Sequence, residues 1–92
     1  MFYATAIKMP AGSTKHEHIG ALRWLDCSKG TADTSAMSIM VDWVAKNPGK
    51  LRVADAKGSV EVRAVRPSGR DPYLRTYADD RPTDNLLDLP RL

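Results

Sequence analysis

A single cysteine, Cys27, among 92 residues leaves no partner for an internal disulfide and rules out a multi-cysteine zinc site. That usage fits a reducing compartment. No window reaches the roughly 18 apolar residues that a membrane helix needs, and the opening Met1-Phe2-Tyr3-Ala4-Thr5-Ala6-Ile7-Lys8 lacks the basic start and long apolar stretch of an export signal. The expected location is therefore the cytoplasm, with no membrane partner. Reaction signatures are absent too. Ser, His and Asp all occur, but there is no Gly-x-Ser-x-Gly elbow, and the nearest basic residue to Cys27 is Lys29, so no activated nucleophile is apparent. Neither a Gly-x-x-x-x-Gly-Lys loop nor a Gly-x-Gly-x-x-Gly run is present, which leaves nucleotide hydrolysis and dinucleotide binding of the usual kinds without support. No cofactor is implied, and the chain reads as a non-enzyme.

What is present suits one folded domain over residues 1–92. Hydrophobic residues make up 42% and charged residues 27%, with six glycines and six prolines, a composition that excludes a coiled coil, a collagen-like repeat and a wholly disordered chain. The formal charge of +3 is small, but its distribution is uneven. Residues 50–78 hold seven basic against three acidic side chains, whereas residues 79–92 hold two against four. A basic stretch of that kind attracts phosphate or an acidic surface, or is simply solvated.

Residues 2–9 read as a first strand, with Tyr3, Thr5, Ile7 and Met9 on one face and Phe2, Ala4, Ala6 and Lys8 on the other. Pro10 to Thr14 is a loop. Residues 18–25 carry large apolar groups in both alternating sets, which predicts a strand covered on both faces near the sheet centre, with a bulge or close approach at Gly20. The polar segment from Asp26 to Ser35 leads into one clear helical period: Met37, Met40, Val41 and Val44 form a stripe, with Thr34 or Ser35 as the cap. Asn47-Pro48-Gly49 ends that helix. Leu51 and Val53, then Val60, Val62 and Ala64, then Leu74 and Thr76 predict three further strands in an antiparallel meander. Residues 79–92 are expected to pack as an extension through Leu86, Leu87 and Leu89. The fold class is α+β, with about five antiparallel strands and one helix in the order β-β-α-β-β-β. An open sheet edge would allow dimerisation.

With these segments in hand, the chain resembles a family of short bacterial and phage proteins catalogued as domain of unknown function 3892. The residues that carry the likeness are His16-Glu17-His18-Ile19 with Arg23-Trp24, Val41-Asp42-Trp43-Val44, Tyr73-Leu74-Arg75-Thr76, and Asp84-Asn85-Leu86-Leu87 followed by Leu89-Pro90. Their order and spacing span nearly the whole chain. The resemblance implies a small α+β architecture and no assigned activity. The helix start departs from it, with small residues and methionines where a more polar capped turn is expected.

Four groups of residues are candidates for function. His16 and His18, read as a strand end, would place two imidazoles on one side, but two ligands do not make a metal site, so no metal is assigned and the pair is read as holding the preceding loop. If Val60, Val62, Leu74 and Thr76 face the core, then Arg63 on one strand and Tyr73, Arg75 and Tyr77 on the next face away, with Arg52 beside them. Such a surface suits a partner protein or stacked bases, and it equally suits simple packing of Arg stems over rings. Trp24 and Trp43 are expected in the core, and Asp84-Asn85 is expected to cap the turn that docks the leucines. The favoured reading is a small binding or regulatory protein, phage-encoded or bacterial, that engages a host or phage protein through Arg52, Arg63, Tyr73, Arg75 and Tyr77, with the His16–His18 loop beside them. Nucleic-acid binding by the same face and capture of a small phosphorylated or nucleotide ligand are the alternatives. An aromatic RNA-recognition strand signature is absent.

Overall fold

Alternation sets the register of the C-terminal half. Leu51 and Val53, Val60 and Val62, and Leu74 and Thr76 are all buried, while their neighbours along each strand point to the opposite side. The computed structural model describes residues 1–92 as β1 (Phe2–Lys8), a 3-10 turn (His16–His18), β2 (Ala21–Asp26), β3 (Thr31–Ala36), α1 (Met37–Lys46), β4 (Leu51–Asp55), β5 (Gly58–Val65), β6 (Tyr73–Ala78) and β7 (Arg81–Thr83). All seven strands belong to one sheet in the order β3-β2-β1-β4-β5-β6-β7. The α+β class with one helix stands, but the sheet has seven strands rather than five, and it is not wholly antiparallel, because β1 and β4 run parallel at Phe2↔Leu51 and Tyr3↔Arg52.

The first addition is β3. The polar connection expected from Asp26 to Ser35 is instead largely a strand: residues 31–36 pair along their whole length with β2, from Ala21↔Ala36 to Asp26↔Thr31, through a tight turn at Gly30 with φ +67°. The strand carries no apolar alternation because α1 does not cover it, so neither of its faces needs large side chains. The second addition, β7, is three residues long and follows a turn in which Asp79 and Asp80 both have positive φ. The N-terminal half needs three further corrections. The strand expected from His18 begins only at Ala21, after the 3-10 turn. It lies one strand from the sheet edge, with Arg23 exposed. The irregularity expected at Gly20 falls in β1, between Ala4 and Ala6. That bulge inverts the parity of the strand, so Phe2, Ala4 and Ile7 share the helix face and the simple alternation of residues 2–9 fails.

The helix is where the period puts it. Met37, Met40, Val41 and Val44 are buried, and the helix ends through Asn47, with Gly49 at φ +76°. Neither Thr34 nor Ser35 caps it. The first flanking residue is Ala36, which offers no side-chain cap; the Met37 N–H is satisfied instead by Gly20 O at 2.9 Å, a backbone group just ahead of β2.

After Tyr3, β4 leaves β1, and the C-terminal segment takes its place. Ile7 N donates to Pro90 O at 3.0 Å and Leu92 N to Ile7 O at 2.9 Å, which satisfies both backbone groups of a side chain with no solvent exposure. Leu86 is likewise fully buried and belongs to the same core as Ile7, Leu22, Leu51 and Leu74. The extension is therefore part of the core rather than a free tail. Leu86→Ala is expected to cost about 2–5 kcal/mol in unfolding free energy by denaturant titration, with the midpoint falling and the slope unchanged; a loss under about 0.5 kcal/mol would show the segment to be loosely docked.

Candidate functional site

The sheet has a helix on one face only, and the other face presents the predicted side chains. On β5 and β6 the outward residues are Glu61, Arg63, Val65, Tyr73, Arg75 and Tyr77, in the register Glu61↔Tyr77, Arg63↔Arg75 and Val65↔Tyr73. Arg52 joins them opposite Glu61 and beside Tyr3. One row thus crosses the whole sheet: Ala32, Leu25, Tyr3, Arg52, Glu61, Tyr77 and Pro82 lie side by side.

The arginines of this face on β4, β5 and β6 are already held, whereas Arg23 on β2 is exposed and makes no side-chain hydrogen bond. Arg63 donates to Glu61 Oε1 at 2.9 Å and to Asp80 Oδ1 at 2.6 Å, and its guanidinium lies 4.9 Å from the Tyr77 ring centroid. Those two carboxylates raise its pKa above the ordinary arginine value. Arg52 donates to Ser59 Oγ at 2.6 Å and to Ser59 O at 3.2 Å. Arg75 reaches across β7 to Thr83 O at 3.3 Å and Asp84 Oδ1 at 3.1 Å. Arg63 and Arg75 of the basic stretch are therefore folded against the acids that follow it. Asp84 does not cap the leucine turn, since its carboxylate is spent on Arg75. The face is electrostatically mixed rather than positive, and the planar forks of Arg52, Arg63 and Arg75 are fixed in place.

The two histidines part company. Because His16–His18 is a 3-10 turn and not a strand end, the imidazoles do not share a side. His18 is exposed, with Nδ1 3.1 Å from Ser13 Oγ, which gives it the loop-holding role. His16 is buried, stacks on Tyr73 with ring centroids 6.4 Å apart, and has no hydrogen-bond partner for Nε2; Asp84 Oδ1 lies 3.9 Å away. It floors a polar cleft of about 360 Å³ whose walls include Lys15, Glu17, Arg70, Tyr73, Arg75 and Asp84. Of the predicted residues, His16, Tyr73 and Arg75 meet here, whereas Arg52, Arg63 and Tyr77 line a separate groove with Asp80. Glu17 and Asp84 stand within the quoted motifs, Asp84 as an expected cap, while Lys15 and Arg70 carry no sequence signal beyond charge beside those motifs.

Trp24 and Trp43 are half-buried rather than sealed in the core. With Phe2 between them, at 5.9 Å and 4.8 Å in edge-to-face contact, they line an apolar cleft of about 240 Å³ that also includes Ser35, Ile39, Met40 and Leu51. No helix of the chain is long and apolar enough to cross a membrane.

Burial pushes the His16 pKa below its ordinary 6.5, with the Arg75 charge acting in the same direction and Asp84 and Glu17 opposing it. The unfolded chain therefore takes up this proton at a higher pH than the folded one. The resulting contribution to stability is complete above about pH 6.5 and is lost as pH falls through the folded midpoint. Between about pH 7 and pH 5 the unfolding free energy of the wild type is expected to fall more steeply than that of His16→Gln, and the His16 imidazole NMR midpoint should lie below 6.5. Parallel slopes for the two proteins would refute this.

Three of the segments quoted for the family resemblance, residues 16–19, 73–76 and 84–87, converge on the His16 cleft and the core beneath it. No curated protein and no solved structure matches the chain. A family match covers residues 3–90, and the chain belongs to the family described as Protein of unknown function (DUF3892).

Proposed function

We propose that the chain is a non-enzymatic binding module that engages a partner protein through the open Arg/Tyr face of its sheet. The observation that carries this reading is the state of the arginines. Arg52, Arg63 and Arg75 are locked by Ser59, Glu61, Asp80, Thr83 and Asp84, and they stand among Tyr3, Tyr73 and Tyr77 on a face that no helix covers. Tyrosine and arginine dominate the energetics of protein interfaces, and side chains fixed before encounter lose little entropy on binding. The same pairing weighs against nucleic acid. Phosphate binding draws its affinity from unneutralised cations, and here carboxylates sit on Arg63 and Arg75 at the middle of the face. Capture of a small phosphorylated ligand meets the same objection, since Glu17 and Asp84 flank the cations of the His16 cleft.

Tyr77→Ala combined with Arg63→Ala removes the stacked pair at the middle of the face without opening the core. In affinity capture from nuclease-treated host lysate, a protein held by the wild type is expected to be lost from the double variant, with affinity reduced by about thirtyfold or more once the partner is purified. Arg66→Ala, which removes a contact to Asp42 on the helix side, should capture as the wild type does. Equal capture by the double variant and the wild type, or capture abolished by nuclease treatment, would overturn the proposal.

A further inference from the structure

The two edges of the sheet are finished in different ways. β7 has three residues, contains Pro82 and runs directly into the packed C-terminal segment, features that keep a strand from templating another. β3 has six residues, no proline and no lysine, and five of its six side chains are exposed. Its neighbour β2 satisfies one side of it alone.

The hairpin register identifies the backbone groups that are left over. Met37 N donates to Gly20 O, and two residues back along the ladder come Ser35↔Leu22, Asp33↔Trp24 and Thr31↔Asp26. Residues that bond to an antiparallel neighbour alternate, so Thr31, Asp33 and Ser35 direct their N–H and C=O toward β2, and Ala32, Thr34 and Ala36 direct theirs outward. The Thr34 N–H agrees with that assignment, since its partner is a side-chain atom, Asp33 Oδ1 at 2.7 Å. Three consecutive outward residues, all small or β-branched, form an unobstructed template.

We infer that β3 is the interface for a second copy of this chain, paired antiparallel about a two-fold axis through Thr34. An axis normal to the sheet keeps the helix side of both copies on one side, and opposed residues of an antiparallel pair share a face, so only registers centred on a residue are allowed. Centring on Asp33 opposes two carboxylates and joins two pairs of outward residues. Centring on Thr34 joins three: Thr34 with the partner's Thr34, and Ala32 with the partner's Ala36 twice over. It also sets Asp33 against the partner's Ser35. The Ser35 Oγ already accepts the Trp24 indole N–H at 3.1 Å and keeps its own proton to donate to that carboxylate. In exchange for its bond to the Thr34 N–H, Asp33 gains a hydroxyl donor from the neighbouring chain, and the Thr34 N–H gains a backbone carbonyl.

A second observation places the partner on the same strand. Ser35 lies on the rim of the apolar cleft formed with Phe2, Trp24 and Trp43, and Ile39 beside it is 61% exposed. A chain running along β3 passes the open side of that cleft and covers apolar surface that the protein otherwise leaves to water. Because β7 is closed to pairing, each copy offers a single edge, and the assembly stops at two.

Sedimentation equilibrium from about 1 µM to about 500 µM should show the wild type passing from the 10.1 kDa chain mass toward twice that value, with slower exchange of the Ala32, Thr34 and Ala36 amides as concentration rises. Thr34→Glu sets two carboxylates against each other on the axis and should weaken the dimer by about tenfold or more, while the melt at monomeric concentration stays that of the wild type. Thr34→Val keeps a β-branched pair there and should retain the dimer. A wild type that is monomeric throughout the range, a Thr34→Glu variant that dimerises like the wild type, or a Thr34→Val variant that does not dimerise would each overturn the assignment.

Discussion

One short helix has to serve a wide sheet. At 1.5 Å per residue the ten residues of α1 extend about 15 Å, whereas seven strands spaced about 4.8 Å apart span about 29 Å. The buried stripe of α1 therefore seals only part of the inner face, chiefly over β5 and β6. The rest is closed by other means or left open. The C-terminal turn supplies Leu86, and residues 90–92 fill the wedge where β4 leaves β1. Over β2 and β3 nothing completes the cover, so Trp24, Trp43 and Phe2 line a cleft. The outer face receives only the His16–His18 turn, which rests on Tyr73, so Arg52, Arg63 and Tyr77 stand uncovered there.

This shortage also explains what the sequence disclosed. Where the helix and the sheet bury each other, the pattern is strict: the Met37, Met40, Val41, Val44 stripe and the alternation from Leu51 to Thr76 were legible because every apolar position there has a partner to meet. Where burial is partial, the pattern fades. β3 reads Thr-Ala-Asp-Thr-Ser-Ala since nothing packs on either of its sides, and only the Gly30 turn hinted at a hairpin. β1 kept its apolar residues but lost their parity at the bulge after Ala4, a backbone irregularity that composition does not encode. β7 is too short to alternate and contains a proline.

Charge pairing was less legible for a related reason. The basic excess of residues 50–78 and the acidic excess of residues 79–92 are plain in the sequence, but whether they meet depends on the turn at Asp79 and Asp80, whose positive φ folds β7 back on β6. That turn brings Asp80 to Arg63, and the next residues bring Asp84 to Arg75 and within 3.9 Å of His16. Within a stretch that looks like a phosphate attractor, Arg63 and Arg75 become fixed forks paired with carboxylates. In the same way His16 and Tyr73, far apart in the chain, meet because the 3-10 turn rests on the half of β6 that β7 leaves unpaired.

The open face and the open edge bear on one another through symmetry. A two-fold axis normal to the sheet keeps the outward residues of both copies on one side, so the inferred pairing at β3 would turn both Arg/Tyr faces the same way, with β3, β2 and β1 of each copy between them. Two equivalent faces held at a fixed separation raise the effective concentration for a partner that repeats its own epitope, and they do so without any new contact. A monomeric partner with a single epitope gains nothing from that arrangement. On the proposed binding role and the inferred β3 pairing, paired copies would favour a partner that is itself symmetric or repetitive, and the preference would scale with how well the spacing of its sites matches the distance between the two faces.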